Sequence, residues 1–353
     1  LIVSCYSSGN SKFTRMFIKK NSDILNILKN NKAQIKLTVI DKNKEFDEYE
    51  YNIDSNKYFY PASTVKLPIA LFAIEKLNEN KYLSIDTPFM LEDDTLKTTM
   101  RKELEKIFVL SDNQANNRLF EFLGQDYINQ KFISKGLNES RIFHRLSTKN
   151  SSNLNGKRVD FFLNDSIISF QNKNTAPAKL NLKEVKKGIG YINHTENLIK
   201  EPMNFSEKNF ISINDLHKII KILFFSDKFE ESHRFNLTKK QKDLVFEYMS
   251  GYPKEFGYDE NDYPYYFNKF FIYGDKELGV SNSFEIYNKV GFAYGQLTDT
   301  AYIIYDDISI ILTATIDVNS NKIYNDDNYD YDLVGFPFLA QLSRGIFQMI
   351  SNN

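Results

Sequence analysis

The chain has 353 residues and a formal net charge of -1, from 45 basic and 46 acidic side chains. Its apolar fraction of 42% and charged fraction of 26% are ordinary for a globular protein, and its length suffices for one large domain or two small ones. The balanced charge disfavours a nucleic-acid-binding surface and a basic membrane-binding face. The single cysteine excludes an internal disulfide, and no run of about 18 apolar residues predicts a membrane span.

The first five residues, LIVSC, are typical of the end of a bacterial lipoprotein signal. In such a signal an apolar stretch and a small residue precede the cysteine that receives lipid. The alternative is a chance Ser-Cys pair near the terminus. The lipoprotein interpretation predicts a signal remnant and tether over residues 1–19 and lipidation at Cys5. It also predicts an extracytoplasmic protein anchored to a bacterial membrane.

Apolar periodicity divides the first part of the chain into helices and strands. Ile35, Leu37 and Val39 alternate strictly with polar residues, which predicts a half-buried strand. The predicted elements here are a helix over 20–29, strands over 34–41 and 49–53, a helix that opens at 61–68 and continues to Leu77, and mostly helical structure over 86–135.

The second part of the chain begins with an unusual segment. Residues 149–208 are rich in Asn, Lys and Ser, and we interpret them as an insertion with strand-like pieces at 158–163 and 166–170. Beyond it we predict helices over 212–225 and 237–250, a loop over 252–268, strands over 284–290, 299–305 and 308–317, a solvated acidic loop at 324–332, and a closing helix over 336–350. This order predicts an α+β fold, with an antiparallel sheet flanked by helices and an inserted, mostly helical region. We expect one domain over residues 20–353.

Ser63 and Lys66 stand in the only Ser-x-x-Lys of the chain, at the start of an apolar helix. A serine hydroxyl is a weak nucleophile that needs a base within reach and donors for the oxyanion formed on attack. Residues i and i+3 of a helix share a face, so the amine of Lys66 is placed to reach the hydroxyl of Ser63. The helix N-terminus also favours developing negative charge.

Two further short motifs follow in the chain. Ser111-Asp112-Asn113 comes directly after an apolar helix, and Lys289-Val290-Gly291 ends a predicted strand and precedes Phe292. Together with the Ser-x-x-Lys segment they resemble the Ser-x-x-Lys, Ser-Asp-Asn and Lys-Thr-Gly set of class A β-lactamases and penicillin-binding proteins. The resemblance covers roughly residues 20–350. It implies a serine hydrolase that forms an acyl-enzyme with an amide or ester, such as a β-lactam or a peptidoglycan stem peptide.

The resemblance also assigns roles to the matching residues. It implies that Ser63 is the nucleophile, Lys66 the base for acylation, Ser111 the proton relay to the leaving group, Asn113 a hydrogen-bond partner of Lys66 and of the substrate amide, and Lys289 a positive charge toward a substrate carboxylate. Gly291 would let the strand approach the ligand, and the backbone N–H groups of Ser63 and Phe292 would form the oxyanion hole. Asp112 is interpreted as structural.

The chain departs from the class A pattern at three positions. If Arg141 is matched to the arginine of the family's loop, Leu146 falls where the glutamate that activates the deacylating water should be. Val290 replaces the threonine of Lys-Thr-Gly, and the bulky Phe292 replaces a small residue that follows it. His144 is a possible alternative base, although it is also interpreted as a residue that holds its loop together.

Two functions therefore follow from the sequence, and a third, an intracellular structural protein, is disfavoured by the lipoprotein-like first residues. The first is an acyl-enzyme-forming serine hydrolase of the cell envelope that acts on a small-molecule or peptidoglycan-derived substrate. The second is a non-catalytic envelope module that binds a partner through the insertion at 149–208. The tyrosine-rich stretch 258–266 is interpreted as packing for a loop, with a substrate groove as the alternative. The sequence predicts no metal site and no cofactor.

Overall fold

The computed structural model describes residues 22–281 and 283–352, so Cys5 and the predicted tether over residues 1–19 lie outside the described residues. The elements begin with α1 (Ser22–Asn30), β1 (Gln34–Ile40), β2 (Phe46–Tyr51), α2 (Lys66–Asn78), β3 (Pro88–Leu91), β4 (Thr98–Thr99), α3 (Met100–Glu105), α4 (Asn113–Leu123) and α5 (Gln125–Ser134). They continue with β5 (Val159–Phe162), β6 (Ile167–Phe170), β7 (Lys186–Lys187), β8 (Gly190–Ile192), β9 (Leu198–Ile199), β10 (Met203–Asn204), α6 (Ile213–Phe224), α7 (Lys239–Ser250), α8 (Phe270–Tyr273), β11 (Phe284–Ala293), β12 (Gln296–Tyr305), β13 (Ile308–Asp317), β14 (Ile323–Tyr324) and α9 (Phe336–Ser351).

The central sheet has five antiparallel strands in the order β11-β12-β13-β1-β2. Both ends of the chain contribute to it, because β1 pairs with β13 in the register Gln34 to Thr315. The predicted α+β class is confirmed. Strand β11 forms one edge of the sheet, so alternate backbone N–H groups along β11 face away from β12 and toward the segment that carries Ser63.

Helices cover both faces of the sheet and bury a hydrophobic core on each side. One core joins the sheet to α1, α8 and α9, and the other joins it to α2, α6 and the helical region inserted between β2 and β11. By length and composition alone, the helical segment Tyr331–Ser351 is long and apolar enough to cross a membrane. Leu339 and Ile346 of this helix are fully buried against the sheet, however, so α9 has the features of a core helix.

The region predicted as mostly helical over 86–135 contains two strands that the sequence pattern did not indicate. Strand β3 has only four residues and β4 only two, which is too short to establish a period of alternation. The two strands join β5 and β6 of the insertion in a sheet ordered β4-β3-β5-β6. The strands predicted at 158–163 and 166–170 are confirmed as β5 and β6.

The insertion is also attached to the end of the chain. Strand β8 pairs in parallel with β14, and β8 pairs with β9 on its other side. Gly188 allows a close approach there, because a Cβ at that position would lie 2.4 Å from the carbonyl oxygen of Lys322. These contacts place the end of the insertion and the loop after β14 side by side at one end of the sheet.

Candidate active site

Ser63 lies in a 3₁₀ turn (Ala62–Val65) that leads directly into α2. In a 3₁₀ turn residues i and i+3 are eclipsed, so Ser63 and Lys66 share one face although α2 begins only at Lys66. The preceding residue, Ala62, has φ 45°, a left-handed conformation that is unfavourable for a residue with a Cβ. Such strain clusters at functional sites, where the surrounding structure holds it in place.

Two buried lysines converge on the hydroxyl of Ser111. Lys289 Nζ lies 2.8 Å from Ser111 Oγ and Lys66 Nζ lies 3.3 Å from it, while Lys66 also donates to the carbonyl oxygen of Ser111. Lys66 is 0% exposed and Lys289 1% exposed. Ser111 itself has a left-handed conformation that turns both its carbonyl and its hydroxyl toward Lys66. The structure thus brings together three motifs that are far apart in the sequence.

Burial changes the protonation of these lysines. Desolvation lowers the pKa of Lys66 from its usual 10.5 to about 7, and the charge of Asp112 opposes part of that effect. Desolvation also lowers the pKa of Lys289 well below its usual value, and the charge of Lys66 lowers it further. Two ammonium groups that share one hydroxyl repel each other, so one of the pair is held neutral near pH 7. A neutral lysine amine at this position is a competent general base.

Gly291 allows the edge strand β11 to lie close to Ser63. A Cβ at Gly291 would lie 2.6 Å from the carbonyl oxygen of Pro61, 2.7 Å from the backbone nitrogen of Ser63 and 2.8 Å from that of Thr64. No other residue type fits this position without displacing the backbone. The close approach places the backbone at the end of β11 beside the N–H of Ser63, where an oxyanion hole requires its donors.

Val290 and Phe292 point away from the nucleophile, because alternate side chains of a strand face opposite sides. Val290 is buried in the core between the sheet and α9. The ring of Phe292 lies edge-on to Tyr331 at 5.1 Å and to Phe336 at 5.8 Å, and 47% of the residue is exposed. The bulk of Phe292 is therefore directed toward the start of α9 and the loop that precedes it.

Asn113 does not make the contact with Lys66 that the resemblance implies. Its side-chain amide donates instead to Ser147 Oγ at 3.0 Å, across the cleft from α4. Asp112 caps α4 by accepting a hydrogen bond from the backbone N–H of Ala115, which fits the structural role predicted for it. Asn113 therefore ties the Ser-Asp-Asn motif to the loop that follows His144.

Leu146, which falls at the position of the deacylating glutamate if Arg141 is matched to the arginine of the family's loop, is only 5% exposed. The side chain of Asn117 holds its backbone on both sides: Nδ2 donates to the carbonyl of Leu146 at 2.8 Å, and Oδ1 accepts from its N–H at 2.9 Å. The adjacent Arg145 forms a buried ion pair with Glu121. These contacts fix the loop in place, and its Leu146 side chain is apolar and buried.

His144 is poorly suited to replace that carboxylate. Its Nδ1 lies 2.6 Å from the carbonyl oxygen of Arg145, which fixes the proton on Nδ1, and its Nε2 accepts from the backbone N–H of Asn209 at 3.4 Å. Burial lowers the pKa of His144 to about 4. The Asn209 side chain accepts hydrogen bonds from the N–H groups of Phe143 and His144. The geometry therefore favours the loop-holding interpretation of His144 over that of a free base.

A buried polar cluster behind the site was missed in the sequence. Lys269 Nζ donates to Asn288 Oδ1 at 2.9 Å, and Asn288 Nδ2 donates to Asp299 Oδ1 at 2.9 Å. Burial lowers the pKa of Lys269 to about 7 and raises the pKa of Asp299 to about 6. Asn288 immediately precedes Lys289, so the cluster fixes the strand that carries this lysine. The signal in the sequence was a polar residue inside each of two predicted strands, Asn288 in β11 and Asp299 in β12.

Comparison with known proteins agrees with this geometry. The profile of the β-lactamase enzyme family matches residues 19–335, so the chain belongs to that family. Membership places it among the serine hydrolases of the β-lactamase and penicillin-binding type. No curated protein matches the chain.

Solved structures with the same fold have little sequence identity with the chain. A class A β-lactamase from Bacteroides cellulosilyticus aligns with TM-score 0.57 and 13% identity over 98% of this chain and 99% of its own. The penicillin-binding protein PBP-A aligns with TM-score 0.56 and 13% identity over 99% of this chain and 97% of its own. A leucine-to-glutamate variant of PBP-A, solved as an acyl-enzyme complex with penicillin G, aligns with TM-score 0.55 and 14% identity over 94% and 96%. At these identities the likeness establishes the fold.

Proposed function

We propose that this protein is a serine acyl-transfer enzyme that is acylated at Ser63 by a β-lactam or a peptidoglycan-derived amide and releases the acyl group slowly. The observation that carries the proposal is the convergence of Lys66 and Lys289 on the hydroxyl of Ser111, beside a nucleophile over which Gly291 closes. Each of these groups serves acylation. A chain that only bound a partner would have no physical need for two desolvated lysines in contact with one hydroxyl.

The proposed acylation step uses only groups in this cluster. Ser63 Oγ attacks the carbonyl carbon of the substrate, and its proton passes to the neutral amine of Lys66. The negative charge on the carbonyl oxygen is stabilised by the N–H groups of Ser63 and Phe292. When the carbon–nitrogen bond of the substrate breaks, Ser111 gives its proton to the departing nitrogen and regains one from Lys66. Lys289 attracts the carboxylate of the substrate.

Slow release follows from the loop that contains Leu146. Hydrolysis of an acyl-enzyme needs a base that activates water on the side of the ester away from the leaving group. The buried side chain of Leu146 supplies none, and both ring nitrogens of His144 are already bound by the loop. A leucine-to-glutamate variant of PBP-A, which shares this fold, was solved as an acyl-enzyme complex with penicillin G. That structure supports a comparison with penicillin-binding proteins.

The proposal includes the location of the enzyme. The LIVSC start supports lipidation at Cys5 and a position outside the cytoplasm of a bacterial cell, where peptidoglycan-derived substrates occur. Labelling of cells with a palmitate analogue tests this, because the label should appear on the wild type and be absent from Cys5→Ser. Equal labelling of both would contradict the anchor and leave the chemistry of Ser63 unaffected.

The test of the proposed function is the mass of the intact protein after incubation with penicillin G and with a fluorophosphonate probe. We expect a single stoichiometric adduct on the wild type and on Ser166→Ala, which removes an exposed serine in the turn between β5 and β6. Ser63→Ala should form none. An adduct on Ser63→Ala would contradict the assignment of the nucleophile.

One observation favours a non-catalytic alternative. Within the described part of the chain Ser63 Oγ has no hydrogen-bond partner, because the amine of Lys66 is directed to Ser111. A binding module that kept the fold of the family would give no adduct with either probe while its thermal unfolding remained cooperative. That result would replace the enzyme proposal.

A further inference from the structure

A cavity of about 500 Å³ opens beside the nucleophile at the end of the sheet. Three residues that line the cavity are connected to the site already described. Tyr60 lies three residues before Ser63, Phe292 follows Gly291, and Ser147 accepts a hydrogen bond from Asn113. Its volume is in the usual range for a small-molecule pocket. Its far wall comes from the loop after β14 and from the end of the insertion, regions that the catalytic motifs do not include.

Two groups of aromatic rings line opposite sides of the cavity. Tyr60 lies edge-on to Tyr294 at 5.0 Å, and the ring of His144 is stacked on that of Tyr60 at 6.4 Å. On the opposite side Tyr331 contacts Phe292 at 5.1 Å and Tyr329 at 5.5 Å. Such rings bury apolar atoms of a ligand and lose little conformational entropy when they do so. The wall therefore suits a chain of methylene groups.

One cation in the cavity has no partner. Arg145 is neutralised by Glu121, but across residues 22–281 and 283–352 no carboxylate forms an ion pair with Lys208 Nζ. Lys208 is half-buried and lies near the ring of His144, and its charge contributes to lowering the pKa of that imidazole. The neighbouring Asn209 is held by hydrogen bonds with the backbone of His144. Asp327, which lies across the cavity beside Tyr329, is exposed.

We propose that this cavity binds the acyl side chain of the substrate and selects a side chain that ends in a carboxylate, which pairs with Lys208 after an aliphatic stem has packed against the tyrosines. The inference rests on the proposed function, since it assigns the specificity of the same nucleophile. A half-buried lysine that has no ion-pair partner gains from an anionic ligand, because the ion pair then forms where water is partly excluded.

Three penicillins with side chains of similar length test the proposal. Hexanoyl, adipoyl and 6-aminohexanoyl penicillin end in a methyl group, a carboxylate and an ammonium group respectively. We expect adipoyl penicillin to acylate the wild type about tenfold faster than hexanoyl penicillin, as judged by the second-order rate of adduct formation, and 6-aminohexanoyl penicillin to be the slowest.

Variants separate the role of charge from that of shape. Lys208→Met should abolish the preference for adipoyl penicillin and leave the rate with hexanoyl penicillin within about twofold, and Lys208→Glu should favour 6-aminohexanoyl penicillin. Lys239→Met, which alters an exposed lysine on α7, is the matched control and should keep the wild-type order. An unchanged preference for adipoyl penicillin in Lys208→Met would overturn the proposal.

A second readout does not depend on acylation. Binding of the same three compounds to Ser63→Ala, followed by ligand-observed NMR, should show the same order of affinity and the same loss of order when Lys208→Met is added. Equal binding of adipoyl and hexanoyl penicillin to Ser63→Ala would overturn the proposal even if the wild type is acylated. If the wild type forms no adduct but Ser63→Ala still prefers adipoyl penicillin, the pocket stands and the proposed catalysis fails.

Discussion

The two sides of the cleft differ in what they retain of an acyl-enzyme mechanism. On the side of Ser63 the nucleophile, both lysines and the Ser111 hydroxyl are present, and the two lysines lie within hydrogen-bond distance of that hydroxyl. On the side of the loop that contains Leu146, the backbone is held by Asn117, and the buried side chain of Leu146 is apolar. In the proposed mechanism the first side is the acylation half, and the second side is the release half, which lacks a base.

This difference shows that a rigid loop and a catalytic loop are separable properties. Asn117 and the Arg145–Glu121 ion pair fix the loop by contacts that involve backbone groups and buried charges. None of these contacts needs a carboxylate at position 146. The loop can therefore keep its backbone contacts whether or not residue 146 is a base.

The largest expected effect comes from removing the base. Lys66→Met should lower the acylation rate by roughly 10³-fold, because general base catalysis contributes about 10²–10⁴. Lys76→Met is a matched control on the same helix, since Lys76 is also desolvated but donates to backbone carbonyls of α4, away from the cleft. Stopped-flow acylation kinetics distinguish the two. Equal losses in both variants would indicate a general destabilisation rather than a lost base.

The next effect concerns the close approach of β11. Gly291→Ala should lower the acylation rate by about 10²-fold and destabilise the fold by about 1–3 kcal/mol, because the new Cβ would collide with backbone atoms of Pro61 and Ser63. Gly279→Ala meets nothing within 4 Å and serves as the control in the same kinetic and thermal unfolding assays. If the acylation rate is unchanged in Gly291→Ala, the oxyanion hole is not formed by this part of the molecule.

A carboxylate at the missing position should restore part of the release half. Leu146→Glu should shorten the lifetime of the penicillin adduct by at least about tenfold, as followed by the decay of its mass. Leu146→Gln introduces the same polar bulk without the charge and should leave the lifetime within about twofold. Both variants bury a polar group and should lose similar stability, about 1–3 kcal/mol. A short lifetime in Leu146→Gln would assign the effect to loosening of the loop.

The acylation half should also depend on pH. Desolvation lowers the pKa of Lys66 to about 7, so the neutral amine is the major form above pH 7 and falls about tenfold for each unit below it. The acylation rate should therefore rise about tenfold from pH 5 to pH 6 and level off above pH 7. A rate that stays flat from pH 5 to pH 8 would contradict Lys66 as the base.

The sequence predicted the acylation half better than its surroundings. Ser63, Lys66, Ser111 and Lys289 belong to short motifs whose spacing already defines which residues can meet, and the structure brings them together. The partner of Asn113 was not predictable, because Ser147 lies on a loop whose path depends on the contacts of Asn117 and Asn209.

The secondary-structure elements also differ in how well the sequence predicted them. Long strands such as β12 and β13 and the amphipathic helix α6 were placed by their periodicity. Strand β3 was missed because four residues carry no reliable period, and its identity depends on pairing with β5 far along the chain. The buried Lys269–Asn288–Asp299 cluster is likewise a product of tertiary contacts, since these residues come from three separate segments.

The most direct test of the account follows the hydrolysis of a chromogenic cephalosporin over time. The concentration of wild-type protein is set so that one equivalent of product per protein molecule can be detected. We predict a burst of one product equivalent per protein molecule, absent in Ser63→Ala, followed by a steady rate that is at least about 10²-fold slower. Rapid linear turnover from the first seconds, with no burst and no accumulated adduct, would contradict the claim that the cleft acylates readily and releases slowly.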